Sequence, residues 1–207
     1  MAGGRDALVR SAEGAEDEAD EGRDLVRRYG VNDADVLVAV AASGTTPFTV
    51  ACLREAKHRG ALTIGIANNH RTPILSEADH PIWLDTGSEP IAGSTRMKAG
   101  TAQRAALTLF SSLLMIRLGR IYEGLMIDVQ PLNTKLRRRT EEMVIRLTGK
   151  NREEVRGALA RANGSAKLAV MLLHGCDPTK ATKLLDLAGG QLRGALALIG
   201  RGDSNAA

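Results

Sequence analysis

Three stretches of this sequence carry residue types that could do chemistry. The first is Ser43-Gly44-Thr45-Thr46-Pro47, three hydroxyls and a glycine just ahead of a helix-starting proline. The first N–H groups of a helix have no internal partner and carry partial positive charge, so hydroxyls beside them suit a phosphate. The same residues also make a plain N-cap with incidental Ser and Thr. The second stretch is Gly93-Ser94-Thr95-Arg96-Met97-Lys98-Ala99-Gly100-Thr101. Glycine lets backbone approach closely, Ser94 and Thr95 are donors or caps, and Arg96 and Lys98 put cations at a helix start. Cations there oppose the helix dipole. The arrangement makes sense if an anion or a carboxylate neutralises it, and otherwise both side chains face solvent. The third is Glu13-Gly14-Ala15-Glu16-Asp17-Glu18. On a helix Glu13, Glu16 and Asp20 share one face. Crowded like charges raise a carboxyl pKa and hold a group ready to accept or return a proton. A solvated acidic face is the competing reading. Gly14 within such a helix costs about 1 kcal/mol relative to Ala, which close packing or ligand access would explain.

Other chemistries find little support. His58, His70, His80 and His174 show no pairing with Cys or acidic residues, so no metal is expected. Cys52 and Cys176 lie far apart and read as reduced thiols. Neither a G-x-S-x-G elbow nor a G-x-x-x-x-G-K-[ST] loop is present. The 207 residues hold 28 Lys and Arg against 24 Asp and Glu, a scattered net charge of +4. The densest basic run, Lys135-Leu136-Arg137-Arg138-Arg139, reads as a solvated helix face or a local anion site. Two Phe, two Tyr and one Trp leave little for base stacking, so no nucleic-acid partner is expected. The longest apolar runs, such as Val36–Ala42, fall far short of the roughly 20 residues of a membrane helix, and Met1–Arg10 lacks a signal-peptide pattern. The expectation is a cytoplasmic protein with no membrane partner.

The elements that must position these stretches follow from periodicity. Asp6–Tyr29 reads as one long polar helix with a thin stripe of Leu8, Ala12, Ala15 and Ala19, stopped by Gly30. Asp35–Ala41 runs apolar and β-branched without alternation, as a strand buried on both faces would. Thr46 serves as N-cap of a helix Pro47–Arg59. Ala61–Ala67 is a second buried strand, Thr72–Ala78 a short helix, and Ile82–Asp85 a third strand. This order implies right-handed crossovers and a parallel sheet with helices on both faces, whose strand ends are where such sheets bind ligands. A long helix follows from about Lys98 to Leu118, then a basic amphipathic helix Asn133–Leu147. The best domain boundary is Thr148-Gly149-Lys150-Asn151. Beyond it Arg152–Asn163, Ser165–His174 and Pro178–Ala188 give a small all-α module, and 200–207 a disordered tail.

Together these segments resemble a known family. Ala12-Glu13-Gly14-Ala15-Glu16-Asp17, Val40–Pro47 and Ala92–Gln103 look like N-acetylmuramic acid 6-phosphate etherase, of the sugar-isomerase (SIS) domain superfamily. Leu125-Met126-Ile127-Asp128-Val129 and Asn133-Thr134-Lys135-Leu136 fit as well. The resemblance implies a three-layer α/β SIS-type domain over 1–149 and a three-helix, UBA-like module over 150–199. It implies cleavage of the D-lactyl ether of N-acetylmuramate 6-phosphate by elimination and hydration, without a metal or redox cofactor. One of two glutamates that share the proton transfers falls on Glu16. Ser43, Gly44 and Thr45 would contact the phosphosugar, Ser94 would stand near it, and Arg96 and Lys98 would shape that pocket. A phosphorylated amino sugar and a second copy, as a homodimer, are the implied partners. The family pattern also reaches further at its start, with the first strands, another Gly/Ser-rich phosphate loop and an Asp-Ala-Ser-Glu segment bearing the second glutamate. Without those parts the chain would lack half the acid/base pair and leave a bare sheet edge. It departs from the pattern at Thr45-Thr46 too, where an Arg commonly follows Ser-Gly. Two other readings compete with a lyase. One is a non-catalytic phosphosugar-binding regulator of the glucokinase-regulatory-protein type, or an inactive fragment. The other is an aldose–ketose isomerase, which the C-terminal module counts against.

Overall fold

A computed structural model describes residues 2–4, 7, 9–10 and 12–202, the last three by backbone alone. The chain divides into two compact units, Met1–Thr108 and Leu109–Ala207.

In the first unit three strands form a parallel sheet in the order β1 (Val36–Val40), β2 (Leu62–Ala67), β3 (His80–Trp83). Val36 pairs with Leu62 and Val40 with Ile66, while Ile64 pairs with His80 and Ala67 with Trp83. The crossovers are α2 (Pro47–His58) and α3 (Pro73–Glu77), each opened by the proline expected to start it. Every residue of β2 after Leu62 is buried. Beneath it Ala39, Val50, Leu53, Ala67 and Ile74 form one cluster. Val26, Phe48, Cys52, Ala56 and Ala61 form another, between α1 (Ala19–Arg28) and α2. Arg27 fastens the same pair of helices by donating to both oxygens of Glu55, at 2.9 and 3.2 Å. That bidentate grip holds the Glu55 carboxyl below the usual carboxylate range.

Two expectations for this unit need correction. The helix expected over Asp6–Tyr29 begins at Ala19, and residues 12–18 are turns (Asp6 and Leu8 lie outside the described residues). In a helix the Glu16 carbonyl would accept from Asp20. Here it accepts from Phe48 N at 3.0 Å, across the gap to α2. Gly14 takes φ +76°, left-handed backbone that only glycine adopts cheaply, so its cost in a helix never arises. Glu13, Glu16 and Asp20 therefore share no helical face. Nor is β1 buried on both faces: Val36 is 55% and Val38 37% exposed. Among the described residues β1 is an edge strand with β2 as its single neighbour.

The second unit is helical apart from a hairpin of β4 (Ile121–Tyr122) and β5 (Leu125–Met126), too short for periodicity to show. The helices α5 (Thr134–Thr148), α6 (Arg152–Arg161), α7 (Ala166–Leu173) and α8 (Pro178–Leu187) match the expected elements. Asn133, Asn151, Ser165 and Asp177 cap them through side-chain oxygens. A further helix, α9 (Leu192–Gly202), follows, taking in residues 200–202 of the expected tail, while 203–207 lie outside the described residues. Val144 of α5 is fully buried in one core with Val155, Val170, Met171 and Leu192. Because α5 joins this core, the compact units part inside α4 (Lys98–Arg117) rather than at Thr148–Asn151.

Within α4 only Ala99 is buried among the described residues, and Leu109, Phe110, Leu113, Leu114 and Ile116 are exposed. No helix of the described residues is long and apolar enough to cross a membrane.

Candidate functional site

The Ser43–Pro47 turn sits where the sheet was expected to bind ligands, just past the carboxyl end of β1. Ala41 N still donates to Ile66 O at 3.1 Å, and Gly44 N donates to Ala41 O at 3.0 Å, closing the bend. Gly44 has φ +73° and is buried against Thr72. Neighbouring segments fasten the bend from two sides. Asn68 N and Asn69 N donate to Ala42 O at 3.0 and 3.3 Å, and Ile74 N donates to Gly44 O at 3.2 Å.

The donors at this turn differ from those expected. Thr46 stands at the N-cap position of α2, but its side chain caps nothing. Its hydroxyl lies 3.3 Å from Ser43 Oγ, which also accepts from Thr45 N at 3.2 Å. Pro47 has no N–H, and the N–H of Phe48 is taken by Glu16 O. The first turn of α2 thus offers fewer backbone donors than usual, and side-chain hydroxyls must do more of the donating.

A cleft of about 930 Å³ runs beside β1. Leu25, Tyr29 and Val31 line its apolar part, and Glu16, Ser43, Thr46, Thr49 and Thr95 make its polar part. Glu16 is exposed, and its backbone is pinned at α2 by the bond to Phe48. Among the described residues it is the only carboxylate in the cleft lining. Gly44 and Thr45 belong to the same turn without lining the cleft, Gly44 buried and Thr45 exposed.

The second stretch is organised from within the protein. Glu89 caps α4: its two carboxylate oxygens accept from Lys98 N at 3.1 Å and Ala99 N at 2.9 Å. A carboxylate thus meets the helix start, though through its backbone N–H groups, while the Arg96 and Lys98 side chains are themselves exposed. Lys98 Nζ donates to Ser88 O at 2.7 Å, in the segment that carries Glu89. Ser94 is half-buried, and its Oγ accepts from Arg96 N at 3.5 Å, while Arg96 itself is exposed. Ser94, Arg96 and Lys98 stand outside the cleft lining, and Thr95 reaches it. The N–H of Ala99, then that of Lys98, hold the Glu89 carboxyl below the usual carboxylate range. A depressed folded value means that this cap stabilises above the unfolded pKa of about 4.3, and that its contribution fades as pH falls through the folded value. In hydrogen exchange, Glu89→Gln at neutral pH is expected to lower protection at Lys98 and Ala99 severalfold, and acidifying the unmodified protein below pH 4 should do the same. Unchanged protection factors would show that the cap does not hold the helix start.

Asn68 ties the two stretches together. Besides its bond to Ala42 O, its Nδ2 donates to Leu84 O at 3.1 Å and to Thr86 Oγ1 at 3.3 Å. Its Oδ1 accepts from Gln103 Nε2 of α4 at 2.9 Å, and its carbonyl accepts from Trp83 Nε1 at 3.1 Å. One residue thus links the Ser43 turn, through its main-chain N–H, to α4, through its side chain. No role falls to Asn68 or Glu89 from the sequence alone, and Gln103 enters there only as the end of the stretch Ala92–Gln103. No local spacing signals such partners, because their contacts close over long chain separations.

Hydroxyls and a bent glycine stand at the end of a parallel strand, and in comparison with known proteins residues 21–113, which include them, match the SIS domain family. Beyond the domain, the chain is homologous to N-acetylmuramic acid 6-phosphate etherases. It is 46% identical over 194 residues to the etherase of Deinococcus radiodurans, covering 93% of this chain and 64% of that protein. For the etherases of Rubrobacter xylanophilus and Cutibacterium acnes the identity is 43%, covering 95% and 93% of this chain and 65% and 64% of theirs. The chain thus spans a little under two thirds of the length of these relatives.

Proposed function

We propose that this protein acts as a carbon–oxygen lyase on N-acetylmuramate 6-phosphate, releasing D-lactate and N-acetylglucosamine 6-phosphate. The observation that carries the reading is the Glu16 carboxylate sharing one cleft with the Ser43 and Thr46 hydroxyls at the end of a parallel strand. The similarity to etherases over nearly the whole chain supports it. In this reading the turn of Ser43, Gly44 and Thr45 holds the phosphate, and Ser94, Arg96 and Lys98 shape the neighbouring wall. With the sugar ring open, a base takes the proton next to the aldehyde carbon. The bond from sugar carbon to lactate oxygen then breaks, that oxygen leaves with a proton, and water adds across the new double bond. Glu16 serves as one of the two proton-transfer groups. Residues 1–149 do the binding, and 150–199 form a UBA-like helical module. The protein works in the cytoplasm as a homodimer, to which the exposed apolar row of α4 lends support.

The test is incubation with N-acetylmuramate 6-phosphate in oxygen-18 water. Elimination and hydration put the label into the amino sugar, and lactate keeps the ether oxygen. Label in lactate, or no lactate in the presence of bound substrate, would overturn the lyase reading. One observation favours a second reading: Glu16 stands alone among carboxylates in the cleft lining of the described residues, and a phosphosugar sensor needs none. A sensor would bind the phosphosugar and release no lactate.

A further inference from the structure

Thr72 stands at the N-cap position of α3, with extended backbone (φ −100°, ψ 157°), yet its side chain makes no cap bond. A threonine there ordinarily accepts from the N–H groups of the first turn. Its residue surface is only 5% exposed, and its Oγ1 is the single buried side-chain polar atom among the described residues without a hydrogen-bond partner. Forgoing the cap and burying an unpaired hydroxyl are both unfavourable, and native proteins tolerate such groups where they have a partner still to meet. The side chain presses on the Ser43–Thr46 bend. A Cβ on Gly44 would lie 2.6 Å from Thr72 Cβ and 2.8 Å from its Cγ2, with Oγ1 nearer still. The hydroxyl is therefore aimed at the turn whose backbone donors are depleted by Pro47 and by the Phe48–Glu16 bond.

We propose that Thr72 is a phosphate-binding residue, whose Oγ1 donates to an anionic oxygen of the ligand held at the Ser43–Thr46 turn. The inference rests on the phosphosugar reading above and adds to it a residue from α3. It accounts for both unfavourable features, since the hydroxyl finds its partner only when the ligand is bound. Glycine at position 44 is what lets Thr72 approach the bend so closely.

Calorimetric titration with N-acetylglucosamine 6-phosphate, with inorganic phosphate and with unphosphorylated N-acetylglucosamine tests this on the unmodified protein, Thr72→Val and Thr72→Ser. Valine keeps the shape and removes the donor. It is expected to weaken binding of both phosphorylated probes about tenfold while leaving Tm unchanged or raised, because no native bond is lost. Serine should bind within about threefold of the unmodified protein. Equal binding by Thr72→Val would overturn the role of Thr72 and leave the phosphosugar reading standing. A lower Tm with equally weak binding in both variants would reduce Thr72 to a packing residue and overturn the role. If the unmodified protein holds no phosphorylated probe, the phosphosugar reading falls, and Thr72 loses its ligand with it.

Discussion

Glu16→Gln is expected to abolish D-lactate release while leaving phosphosugar affinity within about twofold of the unmodified protein. The amide keeps the size and hydrogen-bonding shape of the carboxyl and removes its capacity to accept and return a proton. General acid–base catalysis typically contributes about 10²–10⁴-fold, so turnover should fall by that factor. The substitution is structurally mild. Glu16 is exposed, and the contact that fixes it is its main-chain carbonyl, which the variant retains. Surface changes of this kind stay within about 0.5 kcal/mol. Tm, the phosphosugar dissociation constant and the lactate rate measured on one preparation therefore separate catalysis from folding and binding. Turnover undiminished by the variant would remove Glu16 from the mechanism. A parallel collapse of affinity would make it a binding group instead.

The path to Glu16 shows how far the sequence could be read. The three parallel strands and their crossover helices were legible because short apolar runs alternate with proline-opened helices, the first of them also closed by Gly60. The helices α5 to α8 were legible from local spacing and their turn residues, although the side chains that cap them were not singled out. The segment before α1 was not. Its alanines recur at helical spacing, but Gly14 bends left-handed and the Glu16 carbonyl is drawn to Phe48, thirty-two residues on. Glu16 was thus placed on the right stretch by resemblance and on the wrong element by periodicity. The buried look of β1 misled similarly, since a hydrophobic run reports what a strand can bury and not what lies beside it. At the start of α4 the charges left open a neutralising anion or cations facing solvent, and both side chains are exposed. Glu89, nine residues ahead of Lys98, meets the backbone N–H groups there through a loop that no pattern predicts.

Gly44→Ala is expected to be strongly destabilising to the first unit. At φ +73° a side chain carries a left-handed penalty of roughly 1–2 kcal/mol. The new Cβ would also collide with Thr72, which is packed at the start of α3 and cannot retreat without moving a bend that Ile74 N holds. Overpacking of this kind adds about 1–3 kcal/mol. The sum, about 2–5 kcal/mol, should lower Tm by at least about 8 °C in a unit of this size. Gly14→Ala is the matched control. It has nearly the same backbone, φ +76°, and nothing within 4 Å of the added carbon, so it should show the conformational penalty alone. Equal losses in the two variants would mean that Thr72 yields and the bend is softer than its contacts imply. Because the bend carries the phosphate in the proposed reading, Gly44→Ala should also forfeit phosphosugar binding in whatever fraction stays folded.

The Glu89 cap divides the labour between the two glycine-and-hydroxyl turns. The start of α4 arrives with its positive pole already quenched by a tethered internal anion. In the proposed reading a phosphate therefore has one seat, at the Ser43 turn, and a second ester brought to α4 would meet a resident negative charge.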